Sequence, residues 1–247
     1  MKKFFYDSYK SVAEKILPPL KQHNFHKTGM LTVEEFKEAG DYLVDNYNKW
    51  SWSNTNKKKI LEIKNIPLKD NSNILCNENI DNFVIKNYQT SNENSLWQID
   101  DDMADYEEHN LIESDEATLN LRPPPAKRRY DISITYDKYY RTPRIWFLGT
   151  DENDYPIPNE KVLEDISIDH SNVTVTIEIH PYYKIHCISV HPCKHSSAMK
   201  FLINKNILKS VESGDNELIS VEKYFIYFIK FMACIIPNLE FDFTKPI

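Results

Sequence analysis

Glycine is scarce in this chain. Its 247 residues include four, Gly29, Gly40, Gly149 and Gly214. No G-x-G-x-x-G turn and no phosphate-cradling P-loop can be written with them, which excludes the nucleotide-binding enzymes that depend on those loops. Cysteine is equally sparse. Cys76, Cys187, Cys193 and Cys234 lack the spacing of a disulfide framework, and no secretory signal is read ahead of them. A reducing, cytosolic home is therefore expected. Long apolar runs are also missing. The longest, Tyr224 to Ile236, covers 13 residues and is interrupted by Lys230. It is too short to cross a bilayer and reads as a buried core helix. No basic cluster with interleaved aromatics is present, so nucleic acid is not an expected partner.

The chain carries a formal net charge of -7, and that charge is uneven. Nine acids and no Lys or Arg fall between Asp100 and Glu116. The remainder is nearly neutral, so the acidity belongs to one segment. The length allows one large domain or two small ones around a proper core.

Residues 1–17 read as an amphipathic helix, with Phe5, Tyr9, Val12 and Ile16 at helical spacing. Pro18 and Pro19 then break it. Two environments suit such a helix: a packed place on the protein's own core, or a membrane interface with the basic residues on the polar side. Thr32 and Glu35 form a capping box before Phe36, Ala39, Leu43 and Tyr47, which predicts a second helix. Trp50 and Trp52 follow as expected core anchors. Lys59 to Pro67 alternates as a strand does.

From about Asn77 to Pro125 the pattern dissolves into Asn, Ser and acids, and Pro123-Pro124-Pro125 ends the stretch. Low hydrophobicity with high charge reads as a flexible insertion. The run Tyr106-Glu107-Glu108-His109-Asn110-Leu111-Ile112 sets apolar residues among acids, the pattern of a segment that folds on binding a basic groove. Order returns at Arg129. Tyr130, Ile132, Ile134 and Tyr136 alternate with polar residues, and Arg144 to Leu148 is a second strand, joined to the first by a turn placed at Thr142-Pro143. Val162 to Ile168 is ambiguous. Val173 to His180 alternates again, with Thr174, Thr176, Glu178 and His180 on one face. Two helices are then expected, about Lys194 to Leu208 and Glu217 to Ile235. Helices, then four or so antiparallel strands, then helices indicate an α+β domain.

The chemistry concentrates at Ile188-Ser189-Val190-His191-Pro192-Cys193-Lys194-His195, where a β-type run gives way to a helical one. Pro192 sets a turn, so Cys193 is expected just before a helix N-terminus. The helix dipole, Lys194 and His195 would all favour the thiolate. A buried, inert structural cysteine is the competing reading. The same region holds His180, His186, Cys187, His191 and His195. Zinc fits them poorly: no C-x-x-C is present, and the adjacent His186 and Cys187 point to opposite faces of a strand. A papain-like peptidase lacks its local signature.

Val190-His191-Pro192-Cys193-Lys194-His195, Tyr136-Asp137-Lys138-Tyr139-Tyr140-Arg141-Thr142-Pro143-Arg144 and Thr174-Val175-Thr176-Ile177-Glu178 together resemble the autophagy-related protein 3 family. The likeness extends to Thr28-Gly29, Glu34 to Asp41, Glu113 to Leu119, Ile236-Pro237 and Phe241-Asp242-Phe243, so it reaches both ends of the chain. The Asn-rich stretches and a shortened linker depart from the family pattern. The resemblance implies a ubiquitin-conjugating-enzyme-like domain over 20–247, interrupted at about 77–125, behind an amphipathic helix at 1–19. It implies an enzyme that takes a ubiquitin-like modifier of the autophagy-related protein 8 type from an activating enzyme of the protein 7 type. The modifier is held as a thioester and passed to the amine of phosphatidylethanolamine.

Cys193 would be the thioester cysteine, with His191 completing its motif. Thr174 would stand where ubiquitin-conjugating enzymes carry an asparagine. Tyr106, Leu111, Ile112 and Leu119 would meet the activating enzyme, and Phe5, Val12 and Ile16 the membrane. No cofactor or metal is expected, and the location implied is cytoplasmic with reversible, peripheral membrane attachment. The alternatives are a related conjugator acting on a protein lysine and an inactive scaffold that docks the modifier.

Deleting Asp105 to Leu119 should abolish transfer of the modifier from the activating enzyme while leaving the melting midpoint almost unchanged. A large fall in that midpoint would show the segment to be part of the core.

Overall fold

The computed structural model describes residues 24–53, 59–68, 128–166, 175–212 and 219–236, without the side chains of 206–212, 234 and 235. The expected helix at 1–17 with Phe5, Val12 and Ile16 lies outside these residues. So do Cys76, Thr174 and the acidic insertion with Tyr106, Leu111, Ile112 and Leu119.

The chain order is α1 (Phe25–Thr28), α2 (Val33–Asn46), β1 (Ser51–Trp52), β2 (Ile60–Pro67), β3 (Arg129–Asp137), β4 (Thr142–Thr150), α3 (Asn159–Ile166), β5 (Val175–Ile179) and β6 (His186–Val190). A 3-10 turn, Pro192–Lys194, leads into α4 (His195–Glu212), and a second, Val221–Lys223, leads into α5 (Tyr224–Ile235). All pairings are antiparallel, in the order β1-β2-β3-β4-β6-β5. The α+β class holds. The sheet is larger than expected because Trp52 and Ser51 add a short edge strand to β2.

Alternation along β3 and β4 gives the sheet two unlike faces. Tyr130, Ile132, Ile134, Ile145 and Phe147 join the apolar core with α2, α4 and α5. Ser133, Thr135, Asp137 and Arg144 turn the other way and are nevertheless buried. Phe36 of α2 sits at the centre of the apolar side, edge-to-face with Phe225 at 5.2 Å and Tyr136 at 5.6 Å. The capping box is formed: Glu35 N–H donates to Thr32 Oγ1 at 3.1 Å, and Thr32 N–H donates to Glu35 Oε2 at 2.7 Å. Trp50 is buried as expected. Trp52 is half-buried, with its ring over Gly40 and its Nε1–H donating to Asp41 at 2.8 Å.

Three local readings are corrected. The β3–β4 turn is Lys138 to Arg141, so Thr142 and Pro143 already belong to β4; Asp137 caps the turn earlier than the proline would. The ambiguous stretch at Val162 becomes α3, because Val162 and Ile166 at helical spacing both reach the core. Helix α5 starts at Tyr224, several residues later than expected, and the 3-10 turn stands ahead of it. Where the chain returns from the insertion, Arg128 pairs with Asp165 at 2.6 Å and Tyr130 OH donates to the same carboxylate.

The segment before α2 ties the two halves together. Tyr224 OH donates to Gly29 O at 2.7 Å, Tyr136 OH to Leu31 O at 2.7 Å, and Leu31 N–H to Arg141 O at 2.9 Å. Gly29 itself takes φ 70 at the end of α1 and lies against α4, where a Cβ would come within 1.9 Å of Ser196 O. Gly29→Ala should therefore lower stability by more than the ~1 kcal/mol of a left-handed alanine alone. Urea unfolding followed by circular dichroism measures this, and a loss under that figure would mean α4 yields freely.

Candidate active site

The Cys193 turn is built by its own sequence. Proline restricts the residue before it to extended backbone, and His191 has φ -67 and ψ 127. Pro192 opens the 3-10 turn, where its missing N–H leaves no bond unmade. The Cys193 N–H then donates to His191 Nδ1 at 3.3 Å, so His191 caps the turn that carries the thiol. The expectation of a cysteine between the last strand and a helix is met, with Cys193 exposed.

The expected ionisation of that thiol is not met. Its pKa is raised, because the protein packed around the sulfur disfavours charge. Lys194 and the N–H groups of Cys193 and Lys194 act in the opposite direction and are outweighed. His195 supplies no cation. It is fully buried, and its ring meets Phe228 at 5.5 Å and Phe231 at 6.0 Å. Burial lowers its pKa to about 4, although its bond to the Pro143 carbonyl opposes the shift. That bond, 2.9 Å from Nδ1, requires the proton on Nδ1 and leaves Nε2 buried without a partner. His195 thus joins α4 to β4.

The other candidate ligands separate as well. Cys187 is buried, its thiol pushed up to about 11 by burial, while His186 beside it is exposed. The two do point to opposite faces. His180 is buried against Trp146, stacks on Tyr183 at 4.4 Å, and accepts the N–H of Tyr183 at its Nδ1. Burial first, then Lys184 and Arg144, lower its pKa to about 4. Among the described residues no three His, Cys, Asp or Glu side chains come together as metal donors. A pocket of about 280 Å³ opens on the polar sheet face near His180, Trp146, Glu62 and Lys64, and Cys193 is not among its lining residues.

Structure adds residues that sequence reasoning left unassigned. Tyr140 from the β3–β4 turn lies edge-on to His191, with ring centres 5.4 Å apart. Asp137, Arg144, Glu178 and Ser189 form a polar cluster on the sheet face behind the turn. Opposite charges at Asp137 and Arg144, in strands otherwise rich in apolar and β-branched residues, were the available signal.

An antiparallel sheet backed by helices, with an exposed cysteine on the turn from strand β6 to helix α4, defines a ubiquitin-conjugating-enzyme-like core. A family model described as "Autophagocytosis associated protein, active-site domain" matches residues 35–243. Autophagy-related protein 3 of Arabidopsis thaliana is 33% identical over 97% of this chain and 95% of its own length. The protein of that name from Schizosaccharomyces pombe is 32% identical over 94% of each chain, and the one from Dictyostelium discoideum 28% identical over 96% and 95%. The chain belongs to the autophagy-related protein 3 family, conjugating enzymes of autophagy for ubiquitin-like modifiers of the protein 8 type. Among its described residues no helix is long and apolar enough to cross a membrane.

The two buried histidines set an acid limit on the fold. Each has a folded-state pKa near 4, against 6.5 in the unfolded chain. Between those values the unfolded chain binds a proton that the folded one refuses, so stability falls as pH drops through this window and is fully kept above it. The combined loss should be on the order of a few kcal/mol by pH 4. Melting midpoints measured from pH 7.5 to 4.5 should decline accordingly, and His180→Asn should flatten the slope. An unchanged slope in that variant would remove His180 from the account.

Proposed function

We propose that Cys193 carries the modifier as a thioester and delivers it to the amine of phosphatidylethanolamine. The observation behind this reading is that Cys193 is exposed on the capped 3-10 turn between strand β6 and helix α4. The sulfur attacks the modifier's terminal carbonyl, held as a thioester on the activating enzyme of the protein 7 type. A new carbon–sulfur bond forms as the old one breaks and the activating enzyme's thiol leaves. The lipid amine then attacks the same carbonyl, an amide forms, and Cys193 departs as thiolate.

Each transfer passes through a tetrahedral oxyanion that N–H donors stabilise. Once a base or water removes its proton the amine is neutral and nucleophilic. His191, which orders the Cys193 amide, is the residue assigned beside the thiol. Thr174 is assigned as a further donor or orienting group. It precedes Val175, whose strand pairs with Val190 immediately before His191.

The remaining assignments follow the same reading. The insertion, through Tyr106, Leu111, Ile112 and Leu119, engages the activating enzyme. Phe5, Val12 and Ile16 of an amphipathic segment over 1–19 touch the membrane. The domain at 20–247 then works in the cytoplasm, attached to its membrane reversibly and from one side.

Incubation with activating enzyme, ATP and modifier should give a thiol-sensitive adduct on the unaltered protein. Cys193→Ser should give a thiol-resistant oxyester, and Cys193→Ala should give none. Replacing Cys187, Cys76 or Cys234 singly should leave charging intact. Persistent charging of Cys193→Ala would sink the assignment.

A further inference from the structure

A charged bracket is buried on the polar sheet face behind the Cys193 turn. Arg144 is 3% exposed. Its Nε donates to Ser189 Oγ at 2.8 Å, one terminal nitrogen lies 2.6 Å from Glu178 Oε1, and the other lies 3.7 Å from Asp137 Oδ2. Its guanidinium also stands 4.4 Å from the centre of the Trp146 ring. Buried ion pairs add little net stability, because desolvation offsets most of the attraction. This one has a geometric consequence at the β3–β4 turn.

Asp137 Oδ1 accepts the N–H groups of Tyr139 at 3.0 Å and Tyr140 at 3.1 Å. Arg141 N–H closes the turn on Asp137 O at 2.7 Å, with Arg141 at φ 56. A non-glycine residue in that conformation costs roughly 1–2 kcal/mol and persists only where its surroundings hold it. Here Leu31 N–H holds it from the other side through Arg141 O. The braced turn presents the half-exposed Tyr140 ring at 76° to the His191 ring, and His191 Nδ1 accepts the Cys193 N–H. An unbroken series of contacts therefore runs from Arg144 through Asp137, Tyr140 and His191 to the backbone of Cys193.

We propose that Tyr140 is a positioning residue for the Cys193 chemistry: braced by Asp137 and Arg144, its ring holds His191 in the orientation that orders the Cys193 turn. The inference rests on the reading of Cys193 as acyl carrier. Tyr140 need not touch the acyl group. Without its ring the imidazole loses the edge contact that orients it, and the bond from the Cys193 N–H to Nδ1 loosens with it, so the turn carrying the sulfur is less sharply placed. A displacement of about 1 Å in a positioned reaction costs up to about a hundredfold in rate.

Two readouts test this, on the full chain with Tyr140→Ser and Tyr140→Phe. The first is the pH profile of Cys193 alkylation by iodoacetamide, followed by mass spectrometry of the Cys193 peptide; it needs no modifier. The second is single-turnover discharge of the charged protein to ethanolamine over a range of amine concentrations. In Tyr140→Ser the alkylation midpoint should move to higher pH. Its maximal discharge rate should fall about tenfold, with half-saturation by amine and the melting midpoint little changed. Tyr140→Phe, which keeps the ring, should match the unaltered protein in both. If Tyr140→Ser does not fold, Tyr140→Leu carries the same comparison.

Wild-type alkylation and discharge in the ring-less variant would overturn the proposal, as would equal impairment of Tyr140→Phe. Failure of the unaltered protein to charge at Cys193 would overturn the acyl-carrier reading instead. The alkylation profile would then still decide whether Tyr140 orders the turn.

Discussion

The His195 ring donates to the Pro143 carbonyl at 2.9 Å in a fully buried setting, and this bond decides where α4 can begin relative to the sheet. His195 is the first residue of α4, and Pro143 the second of β4. The 3-10 turn that carries Cys193 has to bridge the remaining distance from the end of β6. A neutral imidazole serves here because a charged one would be costly in an apolar setting against Phe228 and Phe231. The same apolar setting that fixes the helix therefore removes a cation from beside the thiol.

The two faces of the sheet divide the work. The apolar face packs α2, α4 and α5 and gives the domain its stability, with Phe36, Phe225 and Phe228 among its fully buried side chains. The polar face is also buried around Arg144, where charges meet charges and hydroxyls. Such a face adds little to the free energy of folding, but it gives the edge strand β5 and the β3–β4 turn fixed places near Cys193. That gives the exposed Cys193 thiol a rigid surround. The strand order serves it too. Because β6 lies between β4 and β5, the chain leaves β6 next to the start of β4, and the β3–β4 turn reaches His191.

Much of the architecture was legible along the chain. The capping box at Thr32 and Glu35, the alternation of Tyr130 to Tyr136, and Pro192 ahead of a helical run each encode local backbone conformation. That conformation depends on near neighbours, so it can be read without the fold. The motif around Cys193, with those around Tyr136 and Thr174, likewise carried the family in the sequence. Local chemistry also established that Cys193 would stand on a turn before a helix. It misplaced the β3–β4 turn, because Asp137 caps its backbone from within and no proline is needed.

Tertiary structure alone decided the electrostatics of the site. Lys194 and His195 follow Cys193 directly in sequence, and adjacency predicts a lowered thiol pKa. Burial governs instead: it neutralises His195, outweighs Lys194, and leaves Cys193 raised. The partnership of Tyr140 with His191 was equally beyond the sequence, since 51 positions separate residues whose rings lie 5.4 Å apart. Sequence determines which groups a chain owns and which local shapes it prefers. Solvent exclusion and long-range neighbours exist only once the chain is packed, and they determine which of those groups are charged, which are exposed, and which of them meet.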